Sequence, residues 1–259
     1  YLYKYGYEGP VYCTLPTRDT MSLLQLDMIK IQRGEGQDPI YTSEEVRNTV
    51  LHTICLDYEE VSDITPDVRL TFYNAGHMLG SAMVHFNIGN GLHNLVYTGD
   101  IRYARTNLLE AANTQFPRVE TMIMESTYGG KECIKKEDSD DHLNNIIKAT
   151  FERGGKVLMP VLGSGRAQEV MIIIERLMRE GKMPKAPVYL DGMLWDITAI
   201  HTAYPEFLNR NIRQQIFHKE NNPFLSDIFK RVGSNKERKQ IILEEGPCMI
   251  LATSGMLHG

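Results

Sequence analysis

The 259-residue chain carries 42% hydrophobic and 24% charged residues, a balance that excludes a disordered or fibrous protein and suits a folded globular one. Its formal net charge of -5 excludes a surface coated in positive charge, so contact with nucleic acid requires a local patch. Cys13, Cys55, Cys133 and Cys248 form no CxxC pair, and no signal-peptide pattern or long apolar span appears within these residues. This pattern predicts reduced thiols, a cytoplasmic setting and no membrane.

Apolar runs alternate with helical patterns, which predicts an α/β protein of one large or two moderate domains. Residues 11–14 read as a short strand. A helix over 17–32 follows, with Met21, Leu24, Met28 and Ile31 along one face. Thr42 and Glu45 have the spacing of a capping box and start a helix expected to reach Leu56. The alternating run 68–73 and the run 94–98 read as strands, with a hairpin turn at Gly89-Asn90-Gly91 between them. Residues 121–125 form another strand. Beyond Gly129-Gly130 a charged stretch leads into a helix ending near Gly154-Gly155. Residues 156–162 and 187–190 read as buried parallel strands on either side of a helix over 166–180. The remainder is more helical until a strand over 248–252. The expected domain boundary lies at Gly129-Gly130, dividing the chain into 1–129 and 130–259.

Two short strings carry most of the chemistry. His77 follows Asn74-Ala75-Gly76 at the end of one strand, and Asp100 follows Thr98-Gly99 at the end of another. The intervening hairpin predicts that both lie at the same sheet edge. Imidazole and carboxylate are ordinary zinc ligands, and a carboxylate can bridge two ions. Taken singly, a histidine after a strand is usually a turn or core residue, and a Gly-Asp pair is usually just a turn. Two ligands also leave a tetrahedral shell incomplete. Ser164, Gly165 and Arg166 sit where a strand turns into a helix, a layout in which backbone amides and a guanidinium can hold phosphate. Thr253-Ser254-Gly255 repeats that layout, which predicts one anion-binding edge containing both turns. Between Asn209 and Lys239 there are eight Lys or Arg against three Asp or Glu, either a solvated helical face or an RNA contact. His52, His85, His93, His142 and His201 read as structural or solvent-facing.

The strings Ala75-Gly76-His77-Met78-Leu79-Gly80-Ser81-Ala82, Tyr97-Thr98-Gly99-Asp100, Glu125-Ser126-Thr127-Tyr128-Gly129, Gly163-Ser164-Gly165-Arg166-Ala167-Gln168-Glu169 and Ala252-Thr253-Ser254-Gly255-Met256-Leu257 occur in a telling order. Together they resemble the β-CASP branch of the metallo-β-lactamase superfamily. Within it, they are most similar to archaeal relatives of the endonuclease subunit of the cleavage and polyadenylation specificity factor. The resemblance implies a partial metallo-β-lactamase αββα sandwich followed by a partial α/β β-CASP domain. It implies His77 as a ligand of one zinc, Asp100 as the carboxylate bridging two zincs, and Glu125 as a catalytic-site acid that orients a histidine of a later motif. Ser164, Gly165, Arg166, Ser254 and Gly255 become the phosphate- or RNA-binding positions. The implied activity is zinc-dependent endonucleolytic cleavage of RNA in 3′-end processing, with exonuclease activity as a further possibility.

The family's HxHxDH motif and its last histidine motifs are not in this sequence. The chain starts at Tyr1 without an initiator Met and stops where a strand hands over to a helix, which reads as a piece of a longer protein. The piece by itself is expected to be inactive, to hold little zinc, and to associate, as a homodimer for example, through apolar surface left uncovered. A DNA nuclease of the same superfamily and a catalytically silent scaffold in an RNA-processing complex are the alternatives. A small-molecule hydrolase leaves the residues after Glu125 without a purpose.

Overall fold

A computed structural model describes residues 1–131, 136–218 and 221–253, with the side chains of 136–139 left aside. Two compact units emerge. The first comprises Tyr1–Arg105 and Ala111–Glu125, the second Thr106–Glu110 and Ser126–Gly259. A five-residue piece of the N-terminal half thus belongs to the second unit.

In the first unit, β1 (Val11–Cys13) leads into α1 (Leu15–Gly34) and α2 (Ser43–Leu51), and the chain returns as β2 (Thr53–Cys55), parallel to β1. The predicted capping box is formed: Glu45 accepts from the Thr42 N–H at 2.7 Å, and Thr42 Oγ1 accepts from the Glu44 N–H at 3.3 Å. The helix stops at Leu51, short of the expected Leu56, because Thr53, Ile54 and Cys55 take up hydrogen bonds with β1 instead. The apolar row predicted along one face of α1 is not the buried one. Leu24, Met28 and Ile31 are exposed, while Pro16, Thr20 and Ile29 are the residues turned inward.

Five strands follow: β3 (Val61–Thr65), β4 (Val68–Asn74), β5 (Ala82–Ile88), β6 (His93–Tyr97) and β7 (Thr121–Ile123), in sheet order β3-β4-β5-β6-β7. Pairing is antiparallel as far as β6 and parallel between β6 and β7. The β5–β6 turn has positive φ at Gly89, Asn90 and Gly91, as two glycines around an asparagine allow. Side chains of β4 alternate between two cores. Leu70 and Phe72 pack with Leu56, Val84 and Phe86, whereas Tyr73 joins Ala75, Met83 and Ala112. Strands β4, β6 and β7 run the same way, so their C-terminal ends share one edge.

The second unit contains α3 (Lys136–Glu152), β8 (Val157–Pro160), α4 (Arg166–Arg179), β9 (Val188–Asp191), α5 (Leu194–Ala203), α6 (Arg210–His218), β10 (Phe229–Arg231), α7 (Asn235–Leu243) and β11 (Met249–Ala252). Its four-stranded sheet is wholly parallel, in the order β10-β9-β11-β8. Central strands β9 and β11 bury Val188, Leu190, Met249 and Leu251. Strand β8 is an edge strand with Leu158 exposed, so the expectation of a buried strand fails there. Helix α4 buries Ala167, Met171, Ile174 and Met178, a helical stripe of spacing four, three and four.

Residues Thr106–Glu110 are clamped into this unit by two side chains. Glu169 on α4 accepts from the N–H groups of Asn107 and Leu108 at 2.8 and 3.0 Å. Asn209 donates to the carbonyls of Thr106 and Asn107 at 3.0 and 2.7 Å, and accepts from the Ile212 N–H that opens α6. Asn209 is nearly fully buried, so these bonds satisfy polar groups with no access to water.

Candidate metal centre

His77 lies in the turn between β4 and β5, and this turn is held from several sides. Asn74 Oδ1 accepts from the Gly76 N–H at 2.9 Å, and Ser81 Oγ accepts from the N–H groups of His77 and Met78 at 3.2 and 3.0 Å. At the far end, the Gly80 carbonyl accepts from the hydroxyls of Thr14 and Thr17 at the start of α1. Gly80 has φ +75, and a Cβ there would stand 2.5 Å from Thr14 Oγ1 and 2.8 Å from Pro16 Cγ. Only glycine permits both the backbone conformation and the close approach.

Asp100 follows β6 by way of Thr98 and Gly99. Thr98 is buried and accepts from the Glu125 N–H, which links the end of β6 to the end of β7. Glu125 Oε1 accepts in turn from the Ile101 N–H at 2.9 Å, immediately after Asp100. Three residues singled out in the sequence therefore stand at the ends of three strands pointing the same way.

His77 Nε2 and Asp100 Oδ2 are 3.8 Å apart, and both side chains are open to solvent. Two donors each about 2.1 Å from a tetrahedral ion stand about 3.4 Å apart, so small rotations of two exposed side chains would accommodate a shared ion. The donor chemistry and the spacing fit part of a metal shell. Among the described residues no group of three or more His, Cys, Asp or Glu is gathered to complete it.

At the second unit's sheet, the turn after β8 and the end of β11 are neighbours, since Pro160 and Ala252 are register partners. Asp191 and Gly192 end β9 on the same side. Arg166 is exposed and has no ion-pair partner among the described residues. Ser164 is half-buried. Gly165, however, has its N–H engaged by Gln168 Oε1 at 2.8 Å, and the Arg166 N–H bonds to the Ser164 carbonyl at 3.1 Å. The expected cradle of free amides is thus reduced, because a buried side chain has already satisfied the turn. Ser254 and Gly255 lie outside the described residues.

Sequence reasoning passed over the residues that shape these turns. Gln168, with no solvent exposure, also donates to the Gly163 carbonyl at 3.2 Å and to Thr198 Oγ1 at 3.1 Å. Ser81 and Asn74 set the His77 turn. Their signal was an asparagine two residues before a glycine and a serine four residues after the histidine, both patterns of local side-chain capping.

Residues 1–127 match the family model of the metallo-beta-lactamase superfamily domain, and residues 167–259 match that of the Beta-Casp domain. The whole chain is 54% identical over 260 residues to the transcription termination factor FttA of Methanocaldococcus jannaschii. It is 55% identical to the FttA proteins of Methanosarcina mazei, over 260 residues, and Pyrococcus abyssi, over 262. The chain spans about two fifths of the length of these relatives: 41% of the first two and 40% of the third.

Proposed function

Because this chain belongs to the β-CASP branch of the metallo-β-lactamase superfamily, we propose that it is part of a metal-dependent nuclease that hydrolyses RNA phosphodiesters. The carrying observation is the 3.8 Å approach of His77 Nε2 to Asp100 Oδ2, at the sheet edge where Glu125 ends the neighbouring strand. The printed name of the relatives, transcription termination factor, supports a role at the end of transcription. No helix among the described residues is long and apolar enough to cross a membrane.

In this reading His77 and Asp100 would hold zinc, an ion that their imidazole and carboxylate donors suit. Bound zinc lowers the pKa of a coordinated water and stabilises charge on the phosphate. His77 would supply an imidazole whose backbone the Ser81 hydroxyl holds in place. Asp100 is anchored by the residue that follows it: Glu125 grips the Ile101 N–H, so the Asp100 carboxylate is presented from a fixed peptide. Glu125 is therefore a positioning residue. Arg166 and Ser164 offer a guanidinium and a hydroxyl to the RNA backbone, Arg166 being exposed and bidentate by nature.

The functional division of the chain falls at Gly129-Gly130. It is supported by the two family matches, by the change of compact unit after Glu125, and by the helix that opens beyond that point. Cleavage of a labelled RNA by the full-length protein, with and without chelator, tests the proposal. Chelator-sensitive cleavage that disappears in Asp100→Ala supports it, and undiminished cleavage by that variant refutes it.

A further inference from the structure

We infer that a groove along α6 binds single-stranded RNA, with Phe217 stacking on a base and Arg210 and Arg213 neutralising the flanking phosphates. The inference rests on the RNA-nuclease reading for its choice of ligand, but its observations are separate. The groove, of about 320 Å³, is lined by Glu206, Arg210, Arg213, Gln214, Phe217 and His218, all within the second unit.

Positions 210, 213, 214 and 217 recur along one side of a helix, while Ile212 is the buried residue of the other. Phe217 is 60% exposed in a groove whose other lining residues are all polar or charged. Neither arginine has an ion-pair partner among the described residues, and Arg210 and Arg213 line the groove together. The net charge of the chain is -5, which makes this cluster a local departure from the overall field. An aromatic face between cations is the arrangement that holds unpaired nucleotides: the ring accepts any base and the cations follow the backbone. Glu206 in the lining repels a free phosphate and accepts from an exocyclic base amine, so the groove suits a nucleotide within a strand better than an isolated anion.

The test uses the full-length protein with Asp100→Ala as background and chelator present, so that binding is read without cleavage. Anisotropy of a labelled oligouridylate is followed across a salt series. Phe217→Ala should weaken binding about tenfold with an unchanged salt slope, and Phe217→Trp should restore it, since stacking is sequence-tolerant and aromatic. The Arg210→Ala, Arg213→Ala double variant should lower the salt slope by about 1.4, from about 0.7 for each of two phosphates on a single strand. A 4-thiouridine oligonucleotide should photo-crosslink to the peptide containing Phe217. Unaltered affinity in Phe217→Ala, an unaltered slope in the double variant, or crosslinks confined to other peptides each overturn the inference. Asp100-dependent cleavage, measured in parallel on the unsubstituted protein, fails or survives independently, so the loss of one reading is distinguishable from the loss of the other.

Discussion

His77 Nε2 lies 3.8 Å from Asp100 Oδ2 although 23 positions separate them, because β4 and β6 run in the same direction on either side of β5. The first prediction follows from that pair. Either His77→Ala or Asp100→Ala should weaken zinc binding by the protein by well over tenfold, since each removes a donor from an already sparse shell. Isothermal titration with zinc is the measurement. Affinity equal to that of the unsubstituted protein in both variants would show that the ion, if bound, sits elsewhere.

Ser81 tests the idea that the turn presents His77. Ser81→Ala removes the acceptor for two N–H groups, and should cost about 1 kcal/mol in stability together with about tenfold in zinc affinity. Gly80→Ala should be worse for stability, since it meets Thr14 and Pro16 and requires φ +75 of a residue with a Cβ. Equal melting temperatures for Gly80→Ala and the parent would contradict the described turn.

Asn209 gathers the Thr106–Glu110 segment into the second unit. Asn209→Ala leaves two carbonyls and one N–H without partners in a buried place and should cost about 3 kcal/mol. Asn209→Asp should be no better, because a carboxylate would face the carbonyls of Thr106 and Asn107. Denaturant unfolding of both variants gives the comparison, and a loss below about 0.5 kcal/mol in each would remove Asn209 from this role.

His201 makes the stability of the second unit sensitive to acid. Its ring is fully buried, Nδ1 lies 2.9 Å from the Ile197 carbonyl, and Nε2 is buried with no partner among the described residues. Burial pushes the imidazole down to about 4, despite the Ile197 hydrogen bond that favours the charged form. The unfolded chain takes up a proton below its ordinary value of about 6.5, whereas the folded chain does not do so until about 4. Stability is therefore unaffected above that window and falls through it as pH drops, by about 3 kcal/mol in total. His201→Leu should flatten the pH dependence of the urea midpoint between pH 6.5 and 4, whatever its effect on the midpoint at pH 7. An unchanged slope would mean that other groups govern acid unfolding.

The sequence by itself determined the features whose physics is local. Thr42 and Glu45 close a capping box and Gly89-Asn90-Gly91 turns a hairpin, each within a window of a few residues. The placement of His77 and Asp100 at a common edge followed from the same economy, since a hairpin fixes strand direction. Tertiary structure alone decided which face of α1 turns inward, and that Thr53–Cys55 leave a helical pattern to pair with β1. It also decided that Gln168 occupies the amide expected for a phosphate, and that Asn209 reaches the carbonyls of Thr106 and Asn107 from over 100 positions away. These outcomes depend on which buried polar groups find partners across the fold. A buried donor or acceptor left unsatisfied costs about 1–3 kcal/mol, enough to override the small preferences that a local reading detects.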